Sequence, residues 1–213
     1  VAVPNAPTEI VNLALDTIKS ENINDIEIPE GDKIAGVCSR WYQAVRQDCL
    51  EGFPWVFAST RKSIPLRSEE PEFGWEDAYS LPNNYISLNF IEEQAIPLSQ
   101  WDYTIEDGCI FIDNGGAESL PIGFVFDQRD SSKFSPSFKL YLAASLAEKI
   151  VFTITGNFGI QTRVSQAKQR EMLNAKAKNG KANPPIAYRQ SKMIEGRRIY
   201  GGTSKLGRLY GRN

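Results

Sequence analysis

The chain contains no histidine. That absence removes Ser-His-Asp and Cys-His triads, His-ligated zinc, and the side chain used most often as a general base near neutral pH. Acid-base chemistry would fall to carboxylates, Lys, Tyr or Cys. Cysteine is scarce and odd in number: Cys38, Cys49 and Cys109. If residues 33–51 are helical, Cys38 and Cys49 stand about 16 Å apart along the axis, too far for a bridge, so buried free thiols are expected. No apolar run approaches the roughly 18–20 residues of a membrane span, and "VAVPNAPTEI" lacks the charged start and apolar centre of a signal peptide. Synthesis in the cytoplasm and no membrane partner are the expectations. Also missing are G-x-x-x-x-G-K-[ST], G-x-G-x-x-G, Cys-x-x-Cys and G-x-S-x-G, the marks of phosphate cradles, redox or zinc pairs, and nucleophile elbows. No enzyme, cofactor or metal is expected.

What is present is a core-forming chain of 213 residues, 41% apolar, whose formal charge of −2 hides a strong polarity. Residues 1–135 hold 9 Lys and Arg against 23 Asp and Glu, and residues 136–213 hold 15 against 3. Opposite charge blocks in one chain point either to an acidic body with a nucleic-acid-binding arm or to subunits that meet by complementary surfaces.

Local signals predict two helices, a β-rich stretch and two more helices. Thr8 is placed to cap a helix over 8–19 with Ile10, Leu13, Ala14 and Ile18 at helical spacing. Asp32 is placed to cap a second over 32–51, with Ile34, Val37, Cys38, Trp41, Val45 and Cys49 along one stripe, stopped by Gly52 and Pro54. Residues 55–130 hold short β-rich runs, with Asp107-Gly108 marking a tight hairpin and the acidic "SEEPEF" a solvated loop. Ser135-Pro136 opens a helix over 136–155 that Gly156 ends, and a basic helix follows over 160–179. The expected class is α+β: mostly a four-helix bundle with a small antiparallel β-sheet insertion, a body over 1–180 and an extended basic arm over 181–213.

Three groups invite a chemical reading. Acidic clusters at Glu69, Glu70 and Glu72, at Glu92 and Glu93, and among Asp102, Glu106, Asp107 and Asp113 could supply a glycosidase pair, for instance in a cell-wall hydrolase; solvated surface charge is the plainer reading. Trp41, Tyr42, Phe53, Trp55 and Phe57 straddle a helix end and a strand start, where large rings staple elements together. Residues 160–213 carry 13 basic and 2 acidic residues, interspersed with Tyr188, Tyr200 and Tyr210. That profile suits binding to nucleic-acid backbone. Yet the tail "GRRIYGGTSKLGRLYGRN" repeats Arg, an aliphatic residue, Tyr and Gly ten residues apart, as a segment that folds on a partner through buried anchors would.

The stretches "NLALDTI" (12–18), "IAGVCSRWYQAVRQDCLEGFPWVFAST" (34–60) and "YSLPNNYISL" (79–88) resemble the head-to-tail connector proteins of short-tailed bacteriophages, the adaptor or tail tubular protein A family. The resemblance rests on Asn12, Ala14, Leu15 and Ile18; on Tyr42, Arg46, Asp48 and Leu50; on Pro54, Trp55, Phe57 and Ala58; and on Leu81 and Pro82. It departs at Lys19, where many relatives have Gly. By order of elements it covers residues 8–160. It implies a virion protein of the head-tail interface: a ring of about twelve copies between the portal protein and the tail nozzle protein, giving DNA a channel. Trp41, Tyr42, Arg46, Pro54, Trp55 and Phe57 then read as structural. Arg197, Arg198, Ile199, Tyr200, Lys205, Arg208, Leu209 and Tyr210 become candidate portal-docking residues, and the ring is expected to assemble only on the portal.

Overall fold

The computed structural model describes residues 6–27, 32–69, 71–92 and 98–182. Its elements are α1 (Ala6–Ile18), α2 (Lys33–Glu51), β1 (Ser59–Pro65), β2 (Asp77–Ser80), β3 (Tyr85–Ile91), β4 (Thr104–Glu106), β5 (Cys109–Ile112), β6 (Ser119–Phe126), α3 (Pro136–Thr155) and α4 (Phe158–Ala182). Among the described residues no helix is long and apolar enough to cross a membrane.

Helix ends follow local chemistry. The Asp32 carboxylate accepts from the Ile34 and Ala35 amides at 2.8 and 3.2 Å, satisfying donors that have no partner in the first turn of α2. Ser135 does the same for Phe138 at the start of α3, with Pro136 at its first position, and Gly156 ends that helix at φ 62°. Thr8 is a correction: it lies inside α1, fully buried, and its hydroxyl accepts from the Ile26 amide at 3.2 Å. It therefore latches the connector after α1 onto the helix and is not a cap. Trp41 is also off the expected stripe, at 42% exposed. The three cysteines are free and buried.

The expectation of a helical bundle with a small β insertion is overturned. Two three-stranded antiparallel sheets, ordered β1-β6-β3 and β2-β5-β4, make up the middle of the chain, and the described residues are about 51% helical and 20% strand, an α+β mix. The reason is long-range pairing that local signals do not encode. Ser59 pairs with Val125 and Pro65 with Ser119, across almost the whole β region. The sheets enclose a core of their own, built from Ile64, Tyr79, Ile91, Ile110, Ile112, Leu120, Ile122 and Phe124. The second core lies among the helices, where Ile10, Leu15 and Ile18 of α1 meet Phe138, Leu142, Leu146 and Ile150 of α3. Strand β6 belongs to both. Successive side chains of a strand face opposite sides, so Leu120, Ile122 and Phe124 enter the sheet core while Val125 enters the helical one.

Two turns and one close approach need glycine or its backbone freedom. Asp107 and Gly108, at φ 45° and 68°, make the tight turn of the β4–β5 hairpin, where Glu106 pairs with Cys109. Gly123 lies beneath the Phe90 ring, on the central strand, where a β-carbon would stand 2.1 Å from a ring carbon; the Arg61 guanidinium lies 5.3 Å from the centre of the same ring. At the end of α1, Lys19 takes φ 58°, with its amide bonded to the Asp16 carbonyl and that of Ser20 to the Leu15 carbonyl. This is the left-handed stop that glycine fills without steric cost, so Lys19 holds a conformation in which glycine would be unstrained. Lys19→Gly is expected to stabilise the fold by about 0.5–1 kcal/mol, read as a higher midpoint in urea unfolding.

Candidate assembly surface

The residues that carry the resemblance form a scaffold joining all layers. Trp55, 1% exposed, sits just past α2, and its indole N–H donates to the Cys49 carbonyl at 2.8 Å. Its ring is 4.9 Å from Phe138, 5.2 Å from Phe53 and 6.2 Å from Phe57, centre to centre. Phe57 in turn meets Phe138 at 4.8 Å and Phe134 at 5.4 Å. These contacts draw the α2–β1 junction onto α3, as edge-to-face and tilted packing of large rings does. Tyr42 is half-buried against the same helical core, and burial pushes its hydroxyl up to about 12 despite the opposing Arg46 charge. Burial likewise raises the thiols of Cys38 and Cys49 to about 11, so they are not nucleophiles near neutral pH.

Arg46 is 4% exposed and does what no local signal reveals. Its Nη1 is 2.6 Å from Asp127 Oδ1 and donates to the Gln128 carbonyl at 2.6 Å, tying α2 to the segment that leaves β6. Asp127 Oδ2 also accepts from Arg129 Nε at 2.9 Å. Burial pushes the Asp127 carboxyl up, but hydrogen bonds from Arg46 and Arg129 outweigh it and hold its pKa below the ordinary value of 3.8.

Two asparagine side chains clamp the backbone on either side of this scaffold. Asn12 of α1 donates to the Ile23 carbonyl at 3.1 Å and accepts from the Ile23 amide at 2.9 Å. Asn179 of α4 donates to the Pro54 carbonyl at 3.2 Å and accepts from the Val56 amide at 2.9 Å. Together with Lys176, whose ammonium lies 5.3 Å from the Phe53 ring centre, this pins the last turns of α4 to the Pro-Trp-Val-Phe turn. An amide presents a donor and an acceptor side by side, so it replaces a missing backbone partner for both groups at once. Asn179 could be suspected from sequence only as a helix terminator; its partners are more than a hundred residues away.

Helix α4 is the cationic element. It holds Arg163, Lys168, Arg170, Lys176, Lys178 and Lys181 against the single acid Glu171. Lys168 is spent on Glu148 of α3, at 2.7 Å, where Ser165 also donates at 2.6 Å. Burial works against ionisation at Glu148, yet bonds from Lys168 and Ser165 keep its pKa lowered. The remaining cations of α4 contrast with residues 59–126, which hold three cationic residues and twelve acidic ones. The acidic groups raised as a hydrolase pair fall in this sheet region. Asp107 is in the hairpin turn, Asp113 accepts from the Glu76 amide at 2.9 Å, and Glu69 pairs with Arg67 at 3.4 Å. Glu70 and Glu93 lie outside the described residues, as do the arm and Arg197, Arg198, Ile199, Tyr200, Lys205, Arg208, Leu209 and Tyr210. Compared with protein-family models and with curated proteins, the chain matches none.

The Arg46–Asp127 pair sets a pH signature. With its folded pKa below the unfolded one, Asp127 contributes its full stability above the ordinary aspartate range and loses it as pH falls through the folded value. Asp127→Asn is expected to cost about 3 kcal/mol at neutral pH, because Arg46 is left buried without its counter-charge. The gap between parent and variant should narrow below about pH 4 in urea melts.

Proposed function

We propose that the chain is a structural connector of a short-tailed phage virion, a ring-forming subunit that joins portal to tail nozzle around a DNA channel. One observation carries the reading: the charge is divided between two regions, an acidic sheet region and a cationic α4, on a scaffold whose motif residues serve packing. In a cyclic ring each copy meets its neighbour through two different surfaces, and opposite charge at the two surfaces favours such a contact between unlike surfaces. Acidic groups facing a channel would also repel DNA phosphate, as a conduit for a sliding polymer requires. The Arg46–Asp127 pair, the Trp55 cluster and the Asn179 clamp supply the rigid frame such a part needs.

The tail 181–213 is assigned to the portal, its two Arg-aliphatic-Tyr-Gly units being the anchors. Electron microscopy of the protein mixed with its portal is expected to reveal a ring at one end of the portal assembly. Tyr200→Ala combined with Tyr210→Ala is expected to weaken attachment by at least about tenfold, since buried aromatic anchors dominate such interfaces, with an unchanged melting curve. Attachment at parental strength, together with DNA binding that falls steeply with salt and vanishes on removing residues 181–213, would favour a nucleic-acid arm instead.

A further inference from the structure

A groove of about 480 Å³ runs between the end of α1 and the first turns of α4. Its floor is apolar: Ile18 and Val164, each 1% exposed, with Ile160 and Ala167 partly buried beside them. Its rim carries Lys19, Arg163 and Arg170. Among the described residues Lys19 and Arg163 have no ion-pair partner, and Arg170 reaches only its neighbour Glu171, at 3.2 Å. An apolar floor under a cationic rim is matched by a ligand with an apolar tip and acidic shoulders.

The chain itself carries such a tip. In the stretch 68–76, "SEEPEFGWE", the described residues 68–69 and 71–76 lie on a loop closed at its base, where Leu66 bridges Tyr79 and the Arg67 amide donates to the Ala78 carbonyl at 2.8 Å. Phe73 is 84% exposed, the most exposed of the large apolar side chains among the described residues. Glu72 precedes it, Glu69 and Glu76 are exposed nearby, and Gly74, at φ 84°, turns the chain directly after the ring. A phenylalanine 84% exposed beside Glu72 on an acidic loop has the form of an apolar tip with acidic shoulders.

Resting on the connector reading above, we infer that the occupant of the α1–α4 groove is this acidic loop from the next copy, with Phe73 on the apolar floor and Glu72 and Glu69 facing Arg163 and Lys19. The loop springs from the sheet core and the groove from the helical core, so the contact is head-to-tail. Each copy gives one loop and receives one, which is the geometry that closes into a ring or grows as a chain. One ring and two or three rim ion pairs make a weak contact alone, strengthened when many copies are gathered on one template.

Disulfide trapping of the full chain tests it. Ser68→Cys with Gln166→Cys places one thiol on the loop and one on the groove rim, leaving Phe73, Glu69, Glu72 and the rim cations in place. Oxidised at high protein concentration, this double variant should give a ladder of covalent multimers, while an equal mixture of the two single variants should stop at dimers. Adding Arg163→Glu or Phe73→Ala should reduce the ladder at least about tenfold, and Glu72→Arg should restore assembly of an Arg163→Glu protein in sedimentation. Circular dichroism and melting curves establish that each variant is folded. No ladder from a folded double variant, or one unmoved by Arg163→Glu, overturns the inference, as do portal-bound rings formed equally well by Phe73→Ala and Arg163→Glu; those rings would leave the connector reading standing. A loop-dependent ladder from a protein that ignores the portal would keep this contact and remove the connector reading.

Discussion

A buried indole must be covered on every side and must find one acceptor for its N–H, and in this chain that requirement falls on Trp55. The acceptor is the Cys49 carbonyl at the end of α2, and the cover comes from Phe53 and Phe57 next to it in sequence and from Phe138 and Tyr141 of α3. Meeting both demands fixes how α2 hands over to β1 and where α3 lies across that junction. Asn179 then holds the Pro54–Val56 backbone from α4. Four elements are thereby referred to one ring, whose N–H has its acceptor and whose faces are covered by neighbouring rings.

The second organising feature is strand β6, which serves two cores because its alternating side chains face opposite ways. Directly after it, Asp127 takes the Arg46 guanidinium, so the layer between sheets and helices is fastened by a buried charge pair as well as by apolar contact. Neither charge can be moved without stranding the other in a poorly solvated place, which restricts how α2 and β6 can shift relative to each other.

Charge division adds a level above the single chain. Among the described residues of 59–126 the acids sit on loops, apart from Asp77 and Glu106 in strands, and six cations sit along α4. On the connector proposal the subunit has a direction, and the proposed fit of the Phe73 loop to the α1–α4 groove would supply its contact. The sheet region and the helical region, insertion and body by sequence expectation, become on this reading the two ends through which neighbours meet.

Much of the local framework was legible from residues alone. Asp32, Ser135-Pro136 and Gly156 start and stop helices through their own backbone and side-chain chemistry, and Asp107-Gly108 turns a hairpin for the same reason. Caps and tight turns involve groups only a few residues apart, so the string of residues already contains both partners. Thr8 was misread, Asp127 and the clamp made by Asn179 were passed over, and Arg46 was named as structural without its partners, because those partners are 18 to 125 residues distant. The two sheets escaped for a related reason: period-two patterning marks a strand but does not say which strand lies beside it, and Ser59 finds Val125 only when both faces of β6 are buried at once. The order of residues by itself determined that charge is divided along the chain, and composition that histidine chemistry is absent. Only the tertiary structure decided which acids face solvent, which one is locked against Arg46, and which cations border a groove, because burial and proximity arise when distant segments pack and not before.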